Sequence, residues 1–348
     1  MSAAATPALQ PPPLTGSARA WGTLALSAAT FMNVLDTSIA NVSLPAIAGD
    51  LGVSPTQGTW IITSFAVANA IAVPLTGWLS QRFGQVRLFI ASVTLFVIAS
   101  WLCGLAPNMP LLIAARTLQG FVAGPMIPLS QSLLLASYPR ALAGLAMAMW
   151  SMTTLIAPVM GPLLGGWITD NISWPWIFYI NVPVGIASVL ATWAIFHKRE
   201  TARQSLPIDA IGLALMVIGV GSLQVMLDIG KEHDWFASPL VTGCAVAAGV
   251  GLLAFWLWER DEAHPVVDLS LFEVPSFSVA NIAMLAYATG FFLVILGNIL
   301  FLTSVWEYST LRAGLAITPA PILAAILAAP GGRYASTHGY RRVIFPGA

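Results

Sequence analysis

The feature that most constrains this chain is a series of apolar runs, each about 20 residues or longer, that carry almost no charge. They cover 21–47, 57–79, 87–106, 110–136, 142–168, 174–196, 209–228, 238–258, 277–305 and 313–332. About 20 apolar residues in a helix cross the hydrocarbon of a bilayer, whereas a barrel strand needs only about 9–11. Without water, a spanning segment must satisfy its own backbone, which a helix does within one segment. Composition agrees, with 57% hydrophobic and 8% charged residues where a soluble domain carries roughly 25% charge. The expected fold class is all-α, a polytopic membrane helical bundle with about ten transmembrane helices.

The formal net charge is zero, so no global basic field recruits nucleic acid. The distribution of charge is more telling. With the N-terminus inside, the inner segments hold Arg19, Arg82, Arg87, Arg140, Lys198, Arg199, Arg203, Arg260, Arg333, Arg341 and Arg342, and the outer loops hold only Lys231 and Arg312. That asymmetry predicts a cytoplasmic N-terminus. The Ala/Pro-rich residues 1–20 read as a disordered cytoplasmic tail, because no apolar segment precedes Ala18-Arg19-Ala20 as a signal peptide requires. Asp209, Asp228, Glu232, Asp234 and Glu307 read as solvated span ends, and Trp60, Trp78, Trp101, Trp174, Trp176, Trp235, Trp256, Trp258 and Trp306 as an interfacial belt.

One charge breaks the pattern. Asp36 is alone in the run 21–47, where an ionised group costs at least ~2.5–3.5 kcal/mol on insertion scales. Asn33 and Thr37 share its helix face at i−3 and i+1, while Asn41 falls off it. Arg116 stands inside the fourth run, ~9 Å from its outer end against ~15 Å for Asp36. A snorkelling Arg side chain closes such a gap, so the two are expected to pair. The competing reading is a buried pair that only fixes packing, or an Arg reaching for headgroups. Gln119 lies one turn from Arg116, and with Asn33 and Thr37 it is a candidate for the substrate cavity. Gly120, Ala123 and Gly124 on that face read as close helix packing.

Two further motifs stand out. In the fifth run, Ala157, Gly161 and Gly165 form a small-residue stripe, with Gly166 beside it and Pro158 and Pro162 each removing a backbone donor. A bent, close-packed helix of this kind is expected to act as a hinge or a seal between half-domains. After the second run, Gly77, Arg82, Gly84 and Arg87 sit in a basic turn, and Gly332 to Arg342 repeats its spacing after the tenth. Parallel repeats predict a transporter of two similar halves. With only six residues after the second copy, the chain reads as a C-terminally truncated version of such a transporter.

Enzyme signatures are missing: no phosphate-loop, H-E-x-x-H or G-x-S-x-G motif occurs, and the four histidines have no ligand spacing. No enzymatic activity, cofactor or metal is expected. Cys103 and Cys244 read as buried small hydrophobes rather than a bonded pair.

The motifs LDTSIANVSLP at 35–45, GWLSQRFGQVRL at 77–88, RTLQGFVAGPMIPLSQSLLL at 116–135, APVMGPLLGGWI at 157–168, WPWIFYINVPVG at 174–185 and PVVDLSLF at 265–272 resemble the drug:proton antiporters of the major facilitator superfamily. The similarity is strongest to the fourteen-span branch and its EmrB-type multidrug exporters. The resemblance implies proton-coupled efflux of lipophilic drugs, with Asp36 as proton carrier and Arg116 as its partner. It makes 77–87 a gating loop and 157–166 the antiporter motif. It divides the chain into a tail (1–20), a six-helix half (21–200), two extra central spans (201–260) and the start of the second half (261–348). It also implies a cell inner membrane, a periplasmic membrane-fusion adaptor and an outer-membrane channel. Gln81 departs from the acid common at that point of the gating loop, and Thr303 to Tyr308 departs from the pattern of the related exporters. The other readings are a dedicated metabolite or siderophore exporter of the same fold, or a non-transporting truncated interaction partner.

Overall fold

The computed structural model describes residues 12–203, 207–308, 312, 316 and 319–339. Its described residues form helices joined by short turns, with no strand among them. In chain order these are α1 (Gly16–Asp50), α2 (Trp60–Phe83), α3 (Gln85–Gly104), α4 (Met109–Ala123), α5 (Met126–Ser137), α6 (Ala143–Asn171), α7 (Asn181–Phe196), α8 (Ala210–Ile229), α9 (Pro239–Glu259), α10 (Pro275–Ser304) and α11 (Pro319–His338). Seven of the described stretches are long and apolar enough to cross a membrane, and the chain is an integral membrane protein.

Local chemistry sets the helix ends. Ser54 and Gln57 form a reciprocal capping box before α2. Asn108 accepts from the Leu111 amide at 3.1 Å, with Pro110 in the first turn of α4. Gly124-Pro125 then splits the fourth span into α4 and α5. The basic-turn repeat is also conformational: Gly84 and Gly339 both have φ of 90° and both end a helix, a backbone state that glycine adopts without strain.

α1 occupies the centre, packed on α5, α6 and α7, while α2 packs on α4, and α3 on α4 and α7. This central place explains why α1 tolerates buried Thr23, Ser27, Thr30, Asn33, Asp36 and Ser43: protein, not lipid, surrounds them. One apolar cluster joins Leu26, Met32, Phe89, Phe96, Met126 and Trp150, and another joins Ile39, Ile61, Leu112, Ile177 and Phe178. The polar cluster around Asp36 lies between them in the sequence of α1. α8 and α9 pair with each other, α8 leans on α2, and α11 packs on α6.

Four expectations are revised. Residues 16–20 are helical and belong to α1. Ahead of them the Leu14 amide donates to the Ser137 carbonyl at 2.9 Å, and Arg199 donates to the Pro12 carbonyl. The helix of the tenth run, α11, continues past the expected 332 to His338; residues 1–11, 313–315, 317 and 318, together with Arg341 and Arg342, lie outside the described residues. Trp174 is not a belt residue: it is buried and donates to Asp50 at 2.7 Å. Asp209 is not solvated, since α8, α9 and the indole of Trp258 enclose it.

Candidate functional site

Five elements meet at Asp36. Its carboxylate is fully buried, as is the guanidinium of Arg116, and Arg116 Nη1 lies 2.5 Å from Asp36 Oδ2. Gln119 Nε2 donates to Asp36 Oδ1 at 3.0 Å, and Asn181 Nδ2 donates to the same oxygen at 2.8 Å. Three donors on one side chain match an ionised carboxylate, which can only accept. Arg116 is served in turn by the Ile61 carbonyl at 3.1 Å and by Gln119 Oε1 at 2.7 Å. Its guanidinium also stacks over the rings of Phe65 and Phe178, 4.3 and 5.6 Å from their centroids. The pair is thus desolvated yet hydrogen-bonded on both sides, the condition under which a buried ion pair persists.

A surrounding layer holds these groups in place. Asn181 also donates to Ser100 Oγ at 2.9 Å, and Ser100 donates to the Phe178 carbonyl at 2.9 Å. Cys103 Sγ donates to Gln119 Oε1 at 3.5 Å, so this cysteine belongs to the polar cluster and not merely to the apolar core. Gly120 lets α4 touch α2: a Cβ there would lie 2.2 Å from the Phe65 carbonyl oxygen. That contact sets the distance at which Arg116 stacks on Phe65.

The three cavity candidates are placed differently. Gln119 is wholly buried and spends its amide on Asp36 and Arg116. Asn33 is buried and donates to the Ala123 carbonyl at 3.3 Å. Thr37 is half-buried and donates to the Asn33 carbonyl of its own helix at 3.3 Å. Two turns from Asp36 along α1 a second polar knot forms, with Thr30 donating to Ser130 at 2.9 Å and the Trp150 indole donating to both hydroxyls.

The proline-glycine motif of α6 faces α1. A Cβ on Gly161 would fall 2.2 Å from Ser38 Oγ, and one on Gly165 would fall 2.8 Å from Ile39 Cγ1. Pro162 has no N–H to give to the Pro158 carbonyl, and Ser38 Oγ donates to that carbonyl at 3.0 Å instead. The motif therefore seals α6 to α1, whereas α6 meets α11 where Gly332 lies against Gly144. Gly166 has nothing within 4 Å.

In the turn between α2 and α3, Glu200 supplies what sequence reading missed. Its carboxylate accepts from the amides of Val86 at 3.0 Å and Arg87 at 2.9 Å, capping α3, and lies 3.9 Å from the Arg87 side chain. A Cβ on Gly84 would strike Glu200 at 2.4 Å. Arg82 lies over the Trp78 ring, 5.8 Å from its centroid, and Gly77 has no close neighbour. Asn181, Ser100 and Glu200 were legible only as polar residues in or beside apolar runs; Asn181 within IFYINVPVG is the clearest of them.

Comparison with known proteins points one way. The Major Facilitator Superfamily model matches residues 26–348. The chain is 53% identical to the multidrug export protein EmrB of Haemophilus influenzae over 93% of its length. It is 51% identical to EmrB of Escherichia coli K12 over 96%, and 52% identical to the fatty acid resistance protein FarB of Neisseria gonorrhoeae over 96%. It spans 63, 65 and 66% of the length of those three relatives, respectively. Among solved structures, the proton:xylose symporter XylE shares the fold with a TM-score of 0.58 at 15% identity, covering 92% of this chain and 69% of XylE.

Proposed function

The chain belongs to the Major Facilitator Superfamily, and from that premise we propose that it moves lipophilic, drug-like molecules out across the inner membrane in exchange for protons. The observation that carries the reading is the buried Asp36–Arg116 pair with its Gln119 and Asn181 donors. A carboxylate buried inside a membrane-spanning bundle can take up a proton from one side and release it to the other. While Arg116 holds it, Asp36 is ionised. Protonation removes its charge and weakens the hold on Arg116, so α1 and α4 are freed to rearrange, and alternating access follows from the two states.

The N-terminus faces the cytoplasm in this reading, which puts the Glu200-capped turn and the other basic turns inside. Asn33 and Thr37 border the substrate path and Gln119 tunes the pair, while 77–87 gates the inner side and the α1–α6 seam at Pro158 to Gly166 keeps the first half rigid. A periplasmic membrane-fusion adaptor and an outer-membrane channel complete the route. The identity to EmrB proteins supports the drug-like cargo, and the identity to FarB brings in a second cargo class, fatty acids. Both are apolar molecules that partition into the bilayer.

Inverted vesicles carrying this protein test the proposal. Adding a fluorescent lipophilic dye should produce uptake that collapses with the proton gradient and is absent in Asp36→Asn. Long-chain fatty acid in place of dye separates the two cargo classes. Dye uptake by Asp36→Asn at the wild-type rate would sink the assignment of Asp36.

A further inference from the structure

The pocket around Asp36 is arranged for an ionised carboxylate. Arg116, Gln119 and Asn181 all donate to it, at 2.5, 3.0 and 2.8 Å. A carboxyl that has taken up a proton carries an O–H of its own, and a buried O–H with no acceptor bears its full desolvation cost. One of the three donors has to offer an acceptor instead.

Two of them cannot. Arg116 is a cation with donors only. Gln119 is locked by its own oxygen, since Oε1 accepts from Arg116 Nη1 at 2.7 Å and from Cys103 Sγ at 3.5 Å. Turning that amide would aim its NH2 group at the guanidinium. Asn181 is under no such constraint. It is 1% exposed, and its Nδ2 lies 2.8 Å from Asp36 Oδ1 and 2.9 Å from Ser100 Oγ. Among the described residues no donor reaches its Oδ1, so a half-turn of the amide breaks no bond on that side.

The half-turn puts an acceptor where the nitrogen stood, beside Asp36 Oδ1 and Ser100 Oγ. Ser100 donates to the Phe178 carbonyl at 2.9 Å, and its hydroxyl can rotate to the turned amide. The Phe178 carbonyl keeps the Ile180 amide as a donor. The other titratable groups of the surrounding elements stand elsewhere. Arg19 and Asp50 lie at the two ends of α1, Arg82 in the last turn of α2, Arg87 in the first turn of α3 and Asp170 in the last turn of α6. Tyr179 packs edge-on against Trp176.

We propose that Asn181 serves both protonation states of Asp36: it donates to the carboxylate and, on proton uptake, turns its amide to accept from the carboxyl. This rests on the reading of Asp36 as the proton carrier. The proton lands on Oδ1, the oxygen away from Arg116, and no other covalent bond forms or breaks. Asn181 is thus a positioning residue. It opens α7, and its partner Ser100 belongs to α3, so the turn passes the state of Asp36 from α1 to two neighbouring helices.

Infrared difference spectra between acid and neutral pH, taken on the full chain in lipid nanodiscs, test this. A protonated-carboxyl band should appear at acid pH and be lost in Asp36→Asn. An asparagine side-chain carbonyl band, identified by its downshift on carbon-13 labelling of asparagine, should change with the same midpoint and be lost in Asn181→Leu. In Asn181→Leu the carboxyl band should remain but move to higher frequency, because its O–H has lost its acceptor. Ser100→Ala removes one of the two donors to the turned oxygen and should raise the frequency of the acid-state asparagine band. That variant keeps the test open if Asn181→Leu does not fold. A carboxyl band assigned to Asp36 with no asparagine band titrating beside it overturns this inference and leaves the reading of Asp36 intact. So does a carboxyl frequency that Asn181→Leu leaves unchanged. If no carboxyl band is lost in Asp36→Asn, both are overturned.

Discussion

Asp36 and Arg116 are 80 positions apart in sequence and 2.5 Å apart in space, and each makes the other tolerable. Removing one partner leaves a buried, uncompensated charge, which costs about 3–5 kcal/mol. Asp36→Asn strands Arg116, and Arg116→Gln strands Asp36 with only Gln119 and Asn181 as donors. The double variant removes both charges and should regain most of the lost stability. A double-mutant cycle measured by denaturant unfolding in detergent checks this, and simple additivity of the two penalties would contradict it. Transport should not return with stability, because in the proposed mechanism the double variant lacks the carboxylate that takes up the proton. Asn181→Leu is the companion test: it removes a donor from a charged acceptor and should cost about 1.5–3 kcal/mol, read in the same unfolding assay.

At the scale of elements, the α1–α6 seam depends on absent side chains. Gly161 and Gly165 meet Ser38 and Ile39 at distances no Cβ occupies, while Gly166 on the same helix meets nothing. Gly161→Ala must push the helices apart, break the Ser38 bond to the Pro158 carbonyl, and destabilise by about 1–3 kcal/mol. Gly166→Ala should be neutral, or stabilising by up to about 1 kcal/mol through helix propensity. Thermal unfolding of the two variants side by side separates packing from propensity. At the first turn of α3, Glu200→Ala removes the acceptor of two backbone amides and should cost about 0.5–2 kcal/mol. Faster hydrogen exchange confined to residues 86 and 87 would identify the lost cap. Stability loss without that local signature would assign Glu200 to its ion pair with Arg87 instead.

For the molecule as a whole, apolar run length determined that the chain is a helical membrane bundle, because a backbone in hydrocarbon has few other ways to satisfy itself. The rarity of charge in those runs made Asp36 and Arg116 visible as singular residues, since an intramembrane charge is expensive enough to stand out in one sequence. The Gly84 and Gly339 turns were legible for a similar reason: a repeated glycine at fixed spacing marks a backbone state other residues avoid. Polar neutral residues were not legible in this way. Asn181, Ser100 and the Trp150 indole cost little in an apolar run, so nothing in composition singles them out, and only the crossing of α1, α3, α5, α6 and α7 shows where their hydrogen bonds go. The same limit misread Asp209 as solvated, since a residue at the end of an apolar run can face water or a neighbouring helix. Its indole donor, Trp258, comes from a different helix. Charge and hydrophobicity are properties of single residues and can be read along a line; which donor meets which acceptor is a property of pairs, and packing alone decides it.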